Sequence, residues 1–140
     1  MDQDLFDKSV ELLELAGVNV VIVALGLIEF VSDFVFEEFG IARDGGSFEI
    51  DGSIKWRNRF YSHFFNKAVN SIIGGDAVQG INFWTYSGTG FPPRPGEYWE
   101  KGDIFTGDPP HELQGWYGVY STDKSTLAII LEASKRINKD

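Results

Sequence analysis

After Phe83 the hydrophobic periodicity of the chain breaks off for about 40 residues, and that gap constrains the fold more than any other feature. Between Phe83 and Tyr120 stand ten of the 21 aromatic residues, all five prolines and seven glycines. Proline and glycine at that density exclude a continuous helix. A loop of this length inside a small domain is usually functional.

The flanks of the loop are regular. Residues 1–16 carry Phe6, Val10 and Leu13 at helical spacing, with Asp2 or Asp4 available as a cap and Gly17 as a stop. Val18–Leu25 is a β-branched run suited to a strand buried on both faces, and 26–33 fits a short helical turn. Phe34-Val35-Phe36 predicts a second short strand that runs into Glu37 and Glu38. Residues 41–54 read as a loop with turn signals at Gly45-Gly46 and Asp51-Gly52. From Trp56 to Ile73 large apolar residues recur at three and four, an amphipathic helix stopped by Gly74-Gly75. Gln79–Trp84 is a third strand, and Ser125 opens a last helix through Ile137. Helix and strand alternate, which implies an α/β fold with a parallel sheet. In such folds the loops after the C-terminal strand ends build the site.

Composition narrows the chemistry. The net charge of −9 lacks the basic face that nucleic acid requires. With no cysteine, disulfides, thiolate metal sites and cysteine nucleophiles are excluded. His63 and His111 alone make a multi-histidine zinc site improbable, so neither metal nor cofactor is expected. The longest early uncharged run, Gly17–Ile28, is twelve residues, against roughly 20 for a membrane span. The acidic start Met-Asp-Gln-Asp shows no signal peptide.

Two residues at strand ends draw the functional reading. Glu38 closes a buried-strand pattern, where a charge must be functional, paired or turned to a solvent-filled cleft. The plain alternative has one glutamate in solvent and the other paired with Arg43. Trp84 closes the third strand with Tyr86 two positions on, and flat rings at a cleft mouth suit the C–H faces of sugars. The alternative is that these rings are core or pin the loop.

Three separated motifs, FVFEEFGIARDGGSF (34–48), GINFWTYSGTG (80–90) and GEYWEKGDIFTGDPPHELQGWYGVYSTDKSTLAII (96–130), resemble glycoside hydrolase family 5, specifically its bacterial endo-β-1,4-mannanases. The resemblance runs from Phe34 to the C-terminus in the family's order. It implies the seventh and eighth strands of a (β/α)8 TIM barrel, so 1–140 is one partial barrel domain, with 1–33 an atypical helix and strand. A complete barrel takes about 250 residues. The family's nucleophile maps to Glu38, and the tryptophan flooring the subsite of the attacked sugar maps to Trp84. The implied activity is retaining hydrolysis of β-1,4-mannosidic bonds in a polysaccharide, by two carboxyl groups roughly 5–5.5 Å apart. The family's acid/base glutamate sits in an Asn-Glu pair, and these 140 residues contain none. The chain is therefore expected to be inactive alone. The competing reading is a non-catalytic remnant or carbohydrate-binding module working through Trp84. A partial barrel leaves strand edges open, so self-association or a partner bearing the missing N-terminal half is expected. The family is usually secreted or periplasmic.

The remaining candidates lie in loops. Arg94 and Trp99, with Glu97, line a distal subsite or form a loop-pinning ion pair. Arg43-Asp44 shapes the loop after Glu38 or touches sugar. DIFTGD (103–108) lacks the spaced oxygen ligands of a calcium loop. Gly88-Thr89-Gly90 is too short for a phosphate cradle. His111 reads as a turn residue.

Overall fold

The structure is a computed structural model, and it describes residues 34–76 and 78–138. The helix and strand expected within 1–33 lie outside the described residues. Strand β1 (Phe34–Phe39) is followed by a 3-10 turn (Asp44–Gly46), helix α1 (Lys55–Gly74) and strand β2 (Val78–Phe83). Two short strands, β3 (Tyr86–Gly88) and β4 (Val119–Tyr120), precede helix α2 (Lys124–Ile137). β1 and β2 pair in parallel, as do β3 and β4. The long stretch before α2 is therefore not wholly irregular. Strands of three and two residues show no readable period, so pattern alone cannot find them.

α1 starts without help from the residue at its own cap position. Asp44, eleven residues before Lys55, accepts the Trp56 and Arg57 amides on Oδ1 at 2.9 and 3.3 Å. It satisfies two of the orphan donors of a helix start from a distance. The helix ends as the glycines predict: Gly75 has φ 73° and its amide reaches the Ile72 carbonyl.

Packing follows from the α1 stripe. Phe60, Tyr61, Phe65 and Val69 are buried and meet Ile41, Val119 and Ala133. From β1, Phe39 touches the rings of Phe60, Tyr61, Phe64 and Phe65, with centroids 5.4–6.3 Å away. α2 lies against α1, tied by Arg136 to Asn66 and Asn70 and by Asn58 to Ser125 and Thr126. A buried ionic knot fastens the loops at the C-terminal strand ends. Arg43 donates to both carboxylate oxygens of Asp123 at 2.8 and 2.9 Å, and the Tyr120 amide joins at 2.9 Å. Arg57 reaches the carbonyls of Ile41 and Gly118, 3.0 and 2.9 Å away. Burial lowers the Arg57 pKa, with Asp123 opposing. The alternative that pairs Arg43 with a strand-end glutamate is not what forms: Arg43 directs its donors to Asp123 and the Gly52 carbonyl.

Candidate active site

The register of β1 against β2 explains why two adjacent glutamates stand where the strand should be most regular. Phe36 pairs with Ile81 and Phe39 with Phe83, so three steps on β1 match two on β2. One extra residue is inserted, a β-bulge. Phe36 lines a groove with Phe64 and Ala68 of α1, and Phe39 also packs on α1. Residues three apart would face opposite sides of a regular strand, so the bulge is what keeps both rings on the helix side. Glu37 and Glu38 occupy the bulge, and both are exposed. Glu38 adopts φ 56°, the one non-glycine described residue with a left-handed backbone. Such a conformation costs about 1–3 kcal/mol in a residue with a Cβ and recurs where geometry serves a function.

The two carboxylates have different neighbours. Glu37 Oε1 accepts from Asn82 Nδ2 at 3.5 Å across the strand pair. The Glu38 carboxylate is exposed and makes no hydrogen bond or ion pair with the described residues.

Trp84 follows β2 directly, and its amide donates to the Phe39 carbonyl at 2.8 Å. Glu38 and Trp84 thus stand at the same, C-terminal, end of neighbouring parallel strands. Gly40 makes this approach possible, because a Cβ there would collide with the Trp84 carbonyl oxygen and lie 3.4 Å from the Tyr117 ring. The Trp84 indole is half-buried and has no ring partner among the described residues. Tyr86 stands exposed on β3, two residues on.

Arg94 and Trp99 belong to a separate cluster. Arg94 binds Asp103 at 2.6 Å and Glu100 at 2.9 Å, and Trp99 Nε1 donates to the Asp103 carbonyl at 3.1 Å. The Glu100 amide first, and Arg94 second, hold the Asp103 carboxyl below its ordinary range. The other end of DIFTGD is equally engaged: buried Asp108 accepts the Gly115 and Tyr117 amides at 2.7 and 3.4 Å. Burial pushes the Asp108 pKa up, and those amides oppose the shift. His111 is exposed in a turn.

Sequence reasoning passed over Asp123 and Arg57, which hold partners far along the chain. Gly40 was legible only as half of an aromatic-glycine pair.

A family model described as GH family 5 beta-mannosidase-like matches residues 28–140. Among solved structures the chain is similar to a glycoside hydrolase family 5 mannosidase from Rhizomucor miehei, with TM-score 0.65 and 32% identity over 75% of this chain and 26% of that one. A glutamate-to-alanine variant of the same enzyme, in complex with mannosyl-fructose, gives TM-score 0.61 and 31% identity over 76% and 28%. The chain thus spans about a quarter of the length of these mannosidases. No curated protein matches it.

Proposed function

Because the chain belongs to glycoside hydrolase family 5, in its beta-mannosidase-like group, we propose that it carries the nucleophile end of a retaining β-mannoside hydrolase site. The observation that supports this most is Glu38: without a side-chain partner among the described residues, in a left-handed bulge, and at the same C-terminal strand ends as Trp84. In a (β/α)8 barrel that end is where catalytic side chains gather, and β1 and β2 fit its seventh and eighth strands.

The Glu38 carboxylate attacks the anomeric carbon, the glycosidic C–O bond breaks, and the sugar is left as an ester of Glu38. Water then cleaves that ester, so the configuration is retained. Trp84 offers a flat face for the C–H side of the sugar. The leaving oxygen needs a proton from a second carboxyl group, whose Asn-Glu signature the chain lacks. Proton donation of this kind contributes about 10²–10⁴-fold. We therefore assign β-1,4-mannan as substrate of the complete site and no measurable mannan hydrolysis to the chain alone. The names of the similar structures, and the mannosyl-fructose in one, favour a second reading, release of single terminal mannose units.

The test uses an aryl β-mannoside whose leaving group departs without a proton, such as the dinitrophenyl glycoside. The chain should release the phenol slowly, Glu38→Gln should not, and Trp84→Ala should weaken binding by about 1–3 kcal/mol. Equal release by wild type and Glu38→Gln would remove the nucleophile assignment.

A further inference from the structure

The loop between β3 and β4 places an aromatic ring in water and braces it there. Phe105 is 71% exposed, the highest value among the large apolar side chains described; its sequence neighbour Ile104 is 54% exposed, and Tyr98, next to Trp99, 61%. The ring is not loose. It stacks on Trp99 with centroids 5.0 Å apart and planes 13° from parallel. Trp99 is held through its indole N–H on the Asp103 carbonyl, and Asp103 through Arg94 and the Glu100 amide. An antiparallel bridge between Tyr98 and Leu113 anchors the base of the tip, with the Gly96 and Gln114 amides donating across it at 2.9 Å each. One face of Phe105 is backed by indole and the other is presented to solvent in a fixed pose.

We propose that Phe105, backed by Trp99, is a second sugar-stacking surface for a neutral polysaccharide chain. The proposal rests on the mannan reading above. Two observations select this occupant. The rim carries more carboxylate than cation: Glu97, Glu100 and Asp103 stand against Arg94 and Lys101, with the two glutamates 63% and 72% exposed. Carboxylates there accept hydroxyl donors from a neutral sugar and repel an anionic polysaccharide. The surface is also tied to the segment that follows Trp84. Gly107 packs so closely on Thr85, the residue after Trp84, that an added Cβ would lie 2.6 Å from its methyl carbon. Ser87 hydroxyl donates to the Thr106 carbonyl, one residue closer to Phe105. Two residues span at most roughly 7 Å, so Phe105 stays at the same end of the sheet as Trp84. Arg94 and Trp99, expected from the sequence to touch substrate, here brace the ring that does.

The experiment is native affinity electrophoresis of the full chain in gels containing soluble galactomannan, with a polyuronate gel as the anionic control. Wild type should be retarded by galactomannan and not by polyuronate. Phe105→Ala should weaken retardation by about threefold to tenfold, and Phe105→Tyr should restore it. Unchanged far-ultraviolet circular dichroism shows that Phe105→Ala has folded, as its exposure implies. Equal retardation of wild type and Phe105→Ala, with loss in Trp84→Ala, overturns the second surface and leaves the Trp84 reading standing. No retardation of wild type overturns both. If sedimentation shows Phe105→Ala abolishing self-association with galactomannan retardation intact, the ring is a protein contact and the proposal fails.

Discussion

Placing a methyl group on Gly40 should separate Glu38 from Trp84 more directly than any change to either residue. The Cβ of Gly40→Ala has nowhere to go: it meets the Trp84 carbonyl oxygen head on, with the carbonyl carbon 3.3 Å and the Tyr117 ring 3.4 Å away. The atom met most closely belongs to the backbone, so no flexible side chain can yield there. The strand ends must part by about 1 Å, which removes the 2.8 Å bond from the Trp84 amide to the Phe39 carbonyl. Overpacking costs about 1–3 kcal/mol and the lost hydrogen bond about 0.5–1.5, so the loss should be about 2–4 kcal/mol. Gly74→Ala is the matched comparison. Its Cβ has only Asp76 within 4 Å and the position is helical, so it should stabilise by up to about 1 kcal/mol. Urea unfolding followed by tryptophan fluorescence measures both, at a concentration where sedimentation gives one species. A misplacement of 1 Å at a reacting centre can also cost about 10²-fold in rate. A Gly40→Ala midpoint equal to wild type would show that the two strand ends are not held in register as described.

Asp123→Ala should destabilise by about 3–5 kcal/mol in the same assay, because it strands Arg43 and Arg57 as buried cations. Replacing Arg43 and Asp123 together by apolar residues should cost less. Asp108 gives a pH signature. Burial raises its folded pKa above the unfolded value near 4, so its stabilising contribution is greatest below that value and falls as pH rises through the folded pKa. Relative to Asp108→Asn, wild type should therefore lose ground from pH 4 upward, and a flat difference curve would contradict the assignment. Among the described residues β1 and β2 form a two-stranded sheet, so sedimentation velocity should show association that grows with concentration. A sharp monomer at every concentration would mean the edges are covered.

Legibility followed the range of the forces. Helix α1 was readable because Phe60, Phe64 and Val69 repeat at its period and Gly75 supplies a left-handed stop. β2 was readable from an apolar run, although it starts one residue earlier, at Val78, and ends before Trp84. β1 extends to Phe39 rather than Phe36 because the bulge absorbs Glu37 and Glu38 and returns Phe39 to the helix side. Nothing in the residues announces the left-handed Glu38, since neither glycine nor asparagine stands there. Arg43 and Asp123 are 80 positions apart, and Asp44 caps a helix across an intervening loop. Such pairings arise only when the loops are brought together. The order of the motifs puts Glu38 and Trp84 at two neighbouring strand ends, and the register of β1 on β2 does the same. The exposure of Phe105 had no sequence signal, because an aromatic in a loop is as often buried as bare.

The central claim is that Glu38 is a nucleophile, and a trapped ester tests it most directly. A 2-deoxy-2-fluoro-β-mannoside with a dinitrophenyl leaving group reacts without proton donation, and the fluorine slows release of the sugar. Incubation followed by peptide mass spectrometry should show one fluoromannosyl group on the peptide containing Glu38, absent from Glu38→Gln and reduced in Trp84→Ala. Label on Glu37 or elsewhere, or equal labelling of Glu38→Gln, would contradict the account.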